Sequence, residues 1–570
     1  MQLRLSNEID AQKYRQDGED FSSKCTRIAE ALKDSDEHFH DFRETLRDLR
    51  FLPAGRVQNA MGAARQTTAY NCFVSGGIED SMTSIMNRAT EAAETMRRGG
   101  GIGYDFSQLR PRGDRIVGLG SKSSGPVSFM NIYDAVCQTI ASSGHRRGAQ
   151  MGVLRIDHPD IERFITAKSN ADKLTGFNVS VGVTDHFMRC LEHGRPFDLK
   201  FNGEVYDTVD PEALWDMIMR MTWDWAEPGV LFIDTINNWN NLHYCETISA
   251  TNPCGEQPLP PYGACLLGSF NLVRYVDGSQ FDLQKFEADI YHVVRAMDNV
   301  VDRTIYPLSE QKTAALNTRR MGLGVTGLAN AAEMCGYPYA SKKFMAFASK
   351  LLRRLRDHAY IASSNLAAEK GSFPLYDTKQ YQESKFIKSL PESIRELIVK
   401  QGIRNSHLTS IAPTGTISLT ADNVSSGVEP PFSLFYDRTI SGFDGHSVER
   451  VEDYAYRYGY SGKTANEISA EDHVKVLGMA SKYVDSAVSK TCNVGDDVSY
   501  DEFKELYYSA WRMGCKGITT FRAAGKRYGV LNEVVEEPQA EACYIDPATC
   551  LLYTSPSPRD LSTSRMPSSA

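Results

Sequence analysis

Over the first 50 positions apolar residues recur every three to four places among charged neighbours, as at Ile28, Leu32, Phe42, Leu46 and Leu49. That period predicts helices. From Phe51 the texture changes to short apolar runs broken by glycine and proline: NCFVSGG (71–77), NVSVGV (178–183), GVLFIDT (229–235) and SHLTSIAPTGT (406–416). Such runs read as strands. Longer amphipathic stretches lie between them, at 280–301, 343–369 and 501–514, and predict helices. Short strands alternating with helices imply an α/β architecture on a largely parallel sheet. There is no repeat of solenoid period. The acidic stretch NEVVEEPQAE (532–541) reads as a linker leading to ACYIDPAT.

Composition narrows the function classes. The 570 residues are 41% hydrophobic and 24% charged, which suits a large buried core. A net charge of −9 argues against general affinity for a nucleic-acid backbone and leaves room for a local basic pocket. No apolar run approaches the ~18 residues of a membrane helix. The N-terminal MQLRLSNEIDAQKYRQ has no apolar signal core. A cytoplasmic protein with no nucleic-acid or membrane partner is expected. Twelve cysteines are too few for a disulfide scaffold, and no CxxC or Cys/His cluster suggests zinc, so no metal site is expected. The segment CLLYTSPSPRDLSTSRMPSSA (550–570) is rich in Ser and Pro and aperiodic. A disordered tail has this composition. The segment also resembles an in-frame translation of a sequencing adapter; on that reading Cys550 is not native and the natural chain is expected to continue differently after about Thr549.

The densest chemistry lies in TNPCGEQPLPPYGACLLGSFNL (251–272). Its prolines and glycines forbid a helix. Asn252, Cys254 and Glu256 alternate, so an extended backbone would bring amide, thiol and carboxylate to one face. That set suits acid/base and sulfur chemistry on a polar substrate. Cys72, in AYNCFVSGGIEDSM (69–82), reads first as strand core. RRGGGIGYDFSQLRPRG (97–113) is either a helix end and turn or a backbone that something must approach closely. SIAPTGTISLTADNVSSGVEPPF (410–432) has a helix start whose free amides would suit a phosphate. SSGHRRGAQMGVL (142–154) is a surface turn or a polyphosphate grip. GLGVTG (322–327) fits GxGxxG, but it follows Arg319-Arg320-Met321 and has no acid at the ribose spacing, so a dinucleotide site is rejected.

Together NCFV, GGGIG, HRRGAQMG, NPCGEQPLPPYGAC, RRMGLGVTGLA, APTGTIS and GVEPPF, in this order, resemble the catalytic chain of ribonucleotide reductases. The match is to the adenosylcobalamin-dependent (class II) ribonucleoside-diphosphate reductases, and it runs from about Leu52 to Arg527. The resemblance implies a ten-stranded α/β barrel of two parallel five-stranded halves, antiparallel to each other, around a finger loop. It divides the chain into a helical N-terminal region (1–50), the catalytic barrel (51–530), a linker with the remnant of a redox-active arm (531–549) and the adapter-like segment (550–570). It implies that Cys254 carries a thiyl radical and abstracts the ribose 3′-hydrogen, that Glu256 takes the 3′-hydroxyl proton, and that Asn252 holds the ribose. Cys72 and Cys265 would be the dithiol that reduces the 2′-carbon and ends as a disulfide. Asn71 and Gly101 would line the ribose side. Pro413, Thr414, Gly415, Thr416 and Ile417 would bind the substrate phosphates. Asp80, Arg110, Arg146 and Arg147 match the effector region for a deoxynucleotide or ATP, and 169–178 would link effector to substrate. Cys543 would belong to the arm that thioredoxin or glutaredoxin reduces. A homodimer fits the family.

The branches differ in how the radical is made. Metal-radical class I chains carry adjacent tyrosines where this chain has Thr519-Thr520, within GCKGITTFR; Tyr507-Tyr508 lies earlier and reads as packing. No glycyl-radical loop is visible. Adenosylcobalamin is the implied cofactor, without a DxHxxG-type histidine ligand. Two alternatives remain: a class I large subunit needing a metal-radical partner, and a non-catalytic nucleotide-binding relative, against which the intact Asn252, Cys254 and Glu256 argue.

Overall fold

The computed structural model describes residues 3–116, 118–140, 149–170, 172–442, 445–522 and 525–526, and short strands at Asn532–Glu533, Tyr544–Ile545 and Leu552–Tyr553. Arg146, Arg147, Cys543 and Cys550 lie outside the described residues. The chain divides into two units: Met1–Leu434 with Val451–Val530, and Phe435–Arg450 with Leu531–Ala570. In the second, Phe435–Gly442 pairs antiparallel with Asn532–Glu533, and Tyr544–Ile545 with Leu552–Tyr553. Among the described residues no helix is long and apolar enough to cross a membrane.

The first unit opens with helices α1 (Arg4–Tyr14), α2 (Phe21–Leu32) and α3 (Asp36–Arg47). Asp20 and Ser35 cap α2 and α3 by accepting from Ser23 N and His38 N. Their apolar stripes, including Ile28, Leu32, Phe42 and Leu46, are buried in the main core.

A mixed sheet of ten strands forms the centre. In chain order they are β1 (Phe51–Pro53), β2 (Cys72–Val74), β3 (Gly101–Asp105), β4 (Gln150–Arg155), β5 (Phe177–Val183), β6 (Gly229–Phe232), β7 (Ala264–Asn271), β8 (Met321–Thr326), β9 (Thr491–Val494) and β10 (Gly517–Arg522). Strands β2 to β6 pair in sequence, all parallel. Antiparallel junctions flank that run, β2 to β7 on one side and β6 to β10 on the other. Beyond the junctions β7 pairs parallel with β8, and β10 with β9. Single parallel bridges continue from β8 to Thr409 and from Ile411 to Val488. The run 406–411 is therefore held by isolated bridges and is not a regular strand.

The predicted helices appear as Leu283–Arg303, Lys342–Lys370 and Tyr500–Arg512. GLGVTG runs through β8 from Gly322 to Thr326, and its last residue, Gly327, caps the helix Leu328–Met334. Its glycines serve close packing: a Cβ on Gly322 would fall 2.4 Å from Gln257 Nε2, and one on Gly324 2.3 Å from the Ser410 carbonyl.

Candidate active site

The 251–257 segment is a hairpin laid across the sheet. Ala250–Thr251 pairs antiparallel with Pro258–Leu259. Between them Asn252 N donates to the Gln257 carbonyl at 3.1 Å and Gly255 N to the Asn252 carbonyl at 3.0 Å. Gly255 sits at φ +78°, a conformation that favours glycine. This corrects the expectation of an extended segment with one reactive face. The turn separates the side chains: Asn252 and Glu256 are buried, while Cys254 is exposed. Proline at 253 and 258 removes two amide donors, and the left-handed glycine reverses the chain between them.

The glycines of GGGIG explain how the hairpin fits. Gly99, at φ +94°, turns the chain after the helix Met82–Arg97. A Cβ on Gly103 would lie 1.9 Å from the Thr251 carbonyl, and one on Gly101 3.1 Å from Pro253 Cγ. Both sequence readings of the motif, helix end and close approach, hold for different glycines.

Cys72 and Cys265 are directly opposite each other in the antiparallel β2–β7 pair. Opposed residues in such a pair have Cα atoms about 4.5–5.5 Å apart, a span that disulfides bridge. Both are buried thiols. Asn252 Nδ2 donates to Cys72 Sγ at 3.1 Å, and Gln257 N donates to Asn252 Oδ1 at 2.9 Å, which fixes the amide's orientation. Burial, reinforced by the neighbouring Cys72 and Glu256, raises the Cys265 thiol well above its usual range. It therefore stays S–H at neutral pH. Gly101 is the β3 partner of Cys72. The adjacent Asn71 Oδ1 is buried and accepts no hydrogen bond from the described residues.

Cys254 lies on the wall of a cavity of about 300 Å³, with Val230, Leu231 and Ile518 among its apolar lining and Asn178 and Thr519 among its polar lining. Lys490 borders the same cavity. Its ammonium is bonded to Glu429 Oε2 at 2.6 Å and to His473 Nδ1 at 2.9 Å. Burial lowers the pKa of Lys490, but Glu429 outweighs it and holds the lysine charged. Burial, with Lys490 beside it, pushes His473 down to about 3, so the imidazole is neutral.

Pro413 lines the cavity as well. Thr414, at φ +54°, precedes the short helix Gly415–Thr420. Its hydroxyl is already engaged, 2.9 Å from Thr326 Oγ1 and accepting from Gly427 N at 2.9 Å. In the following turn Gly415 is exposed, Thr416 half-buried and Ile417 buried.

Residues 70–521 match the family described as ribonucleotide reductase, barrel domain. The chain belongs to the ribonucleotide reductase family. It is 37% identical over 553 residues to the vitamin B12-dependent ribonucleoside-diphosphate reductase of Mycobacterium tuberculosis (strain CDC 1551 / Oshkosh), covering 91% of this chain and 77% of that one. It is 34% identical over 531 residues to the protein of the same name from Thermoplasma acidophilum, covering 87% and 66%. A vitamin B12-dependent ribonucleotide reductase of Streptomyces clavuligerus is 27% identical over 541 residues, covering 79% and 56%.

Elsewhere in this reductase, Asp80 and Arg110 meet in an ion pair of 2.5 Å, with each side chain about a third exposed. Tyr507 is a packing residue, fully buried with its hydroxyl 2.8 Å from Thr520 Oγ1. Tyr508 stacks under the Arg512 guanidinium at 4.3 Å. Sequence reasoning gave no role to Lys490, His473, Lys168 or Glu227, and took Asn178 only as the end of the 169–178 segment. GVEPPF was noticed without a role, and its Glu429 is what holds Lys490. Nothing local in the sequence marks a lysine or glutamate whose partner is contributed by a distant strand.

Proposed function

We propose that this reductase converts ribonucleoside diphosphates to 2′-deoxyribonucleotides by thiyl-radical chemistry, with adenosylcobalamin as its cofactor. The observation that carries the reading is the pairing of Cys72 with Cys265 across neighbouring strands, with Asn252 bonded to Cys72 and Cys254 nearby at the tip of the same hairpin. The cavity beside Cys254 mixes apolar walls with polar groups, Glu227 and Lys490 among them, and suits the adenosyl part of the cofactor; Val230, Leu231, Ile518 and Thr519 would hold it. When bound, the cofactor supplies the radical through its Co–C bond.

This chain's residues then divide the work. Cys254 removes the ribose 3′-hydrogen atom and later returns it. Glu256 accepts the 3′-hydroxyl proton and gives it back as the 3′-hydroxyl is restored. Cys72 and Cys265 give up two hydrogens in all as the 2′-hydroxyl departs as water, and they end as a disulfide. Asn252 and Asn71 orient the sugar, and the 413–417 backbone binds its phosphates. Cys254 faces the cavity, so bound substrate and cofactor would be what excludes water at the radical site and suppresses side reactions. We further propose that the ten-stranded barrel closes through the bridges at 409 and 411, which continue the β7–β8 pairing toward β9. Asp80 and Arg110 are proposed to serve an effector nucleotide with Arg146 and Arg147, and Cys543 to carry electrons from thioredoxin or glutaredoxin. The metal-radical alternative finds less support, since Thr519 and Thr520 stand at the tyrosine positions and the relatives named above are B12-dependent by name.

The test is a nucleotide reduction assay with a small dithiol. Product is expected with adenosylcobalamin and none without it. Turnover without cobalamin, in the presence of a metal-bearing partner, would overturn the cofactor assignment.

A further inference from the structure

The opening of β5 ties three elements together through consecutive residues. The Phe177 carbonyl accepts from the Lys168 ammonium. Asn178 Nδ2 donates to the Pro253 carbonyl at 2.8 Å, in the turn that carries Cys254. Val179 N donates to Glu227 Oε1 at 3.2 Å. Lys168 and Glu227 complete the arrangement with an ion pair of 2.6 Å, their side chains 13% and 8% exposed. Asn178, Glu227 and Cys254 all border the same cavity. On its other side the segment leading into β5 is held by the helix Pro126–Thr139: Gly176 N donates to Asp134 Oδ1 at 2.8 Å, and Gln138 Nε2 donates to Thr175 Oγ1 at 3.0 Å.

We propose that Asn178 is a positioning residue for the radical cysteine, and that the Lys168–Glu227 pair holds Asn178 where it can act. Pro253 has no N–H, so its carbonyl is the main-chain group through which that residue can be fixed. The next residue is Cys254, so the Asn178 amide sets the plane of the peptide that aims the thiol. A buried ion pair adds little net stability, but it orients strongly when its groups are otherwise bonded. Here one carboxylate oxygen of Glu227 takes the Val179 N–H and the other takes Lys168. Both fix β5 at the height where Asn178 reaches the hairpin. Reactions of this kind are sensitive to placement: a 1 Å error can cost about a hundredfold. The inference rests on the reading of Cys254 as the radical residue.

The experiment compares the full chain with Asn178→Asp, Asn178→Ala and the double variant Lys168→Met/Glu227→Gln. Asn178→Asp keeps the shape and removes the donor. Two readouts are taken after the variants are shown to melt as the wild type does. The first, in the absence of any cofactor, is the alkylation rate of Cys254 relative to the exposed Cys245, resolved by peptide mass mapping. The second is kcat and KM for the nucleotide in the cobalamin-supplemented assay. We expect a several-fold change in the Cys254 to Cys245 ratio in all three variants. We also expect kcat to fall by roughly 10- to 100-fold with KM unchanged. An unchanged alkylation ratio, whether or not kcat falls, overturns the positioning role. A rise in KM alone also overturns it, since it would make Asn178 a ligand-binding group. If the wild type itself reduces no nucleotide, the functional reading fails, and the alkylation ratio still decides whether Asn178 holds the hairpin.

Discussion

At the scale of single residues the site is three thiols in two environments. Cys254 faces a cavity, while Cys72 and Cys265 are buried on facing strands. A radical carrier must meet its substrate, whereas a two-electron reductant must stay protonated until it is used. Burial of Cys265 supplies the second condition by raising its pKa well above the usual thiol value. Cys254→Ser is expected to abolish reduction and leave nucleotide binding intact, because a hydroxyl fills the same space but its O–H bond is too strong to form the radical. Residual turnover above about a thousandth of wild type, or lost binding, would count against the assigned role. The dithiol assignment is checked separately. After one product equivalent formed without reductant, Cys72 and Cys265 should be found in a single disulfide-linked peptide pair. Two free thiols at that stage would exclude the pairing.

At the scale of elements, the site depends on a hairpin lying almost in contact with a strand. Gly103→Ala puts a methyl group where the Thr251 carbonyl now stands, 1.9 Å away. Neither partner is a flexible side chain, so backbone must move. A cost of about 1–3 kcal/mol in stability is expected, with a fall in kcat as the hairpin lifts. Gly113→Ala is a control for lost stability: it carries a left-handed glycine with open space around it, so it should cost stability through φ alone and leave kcat near wild type. Equal kcat in the Gly103 variant and the wild type would mean the hairpin tolerates displacement. The strands and long helices were legible because an apolar run or a 3.6-residue period is a local signal. The hairpin was not. Alternation at 252, 254 and 256 reads as extended chain, and only the left-handed Gly255 with its flanking prolines shows why it turns instead. The strand run at 406–411 was overread for a related reason: its residues are buried as in a strand, but the pairing reduces to single bridges.

At the scale of the whole molecule, burial of ionisable groups makes stability depend on pH, and Glu333 gives the clearest case. It lies in the helix Leu328–Met334 directly after β8, and only 9% of its surface is exposed. Burial first, and then the nearby Asp453 carboxylate, push its pKa up to about 8. Asn330 donates to both oxygens of Asp453 at 3.0 Å and to Glu333 at 3.5 Å, so the two acids share one amide. The sign follows from proton binding. Below the ordinary carboxyl pKa of 4.5 both folded and unfolded chains hold the proton, and the group has no effect. As pH rises from there to about 8 the unfolded chain ionises while the folded one keeps its proton, so the folded state loses ground throughout that window. Above it both are ionised, and the penalty stays constant. Glu333→Gln removes the titration. Its stability relative to wild type, read as a rising melting temperature, is therefore expected to increase between pH 5 and pH 8 and then level off, by a free energy on the order of a few kcal/mol at most. Thermal melts of both proteins across that range provide the measurement. A difference independent of pH would show that Glu333 is ionised in the folded protein, and that the Asp453 and Asn330 cluster accommodates two charges.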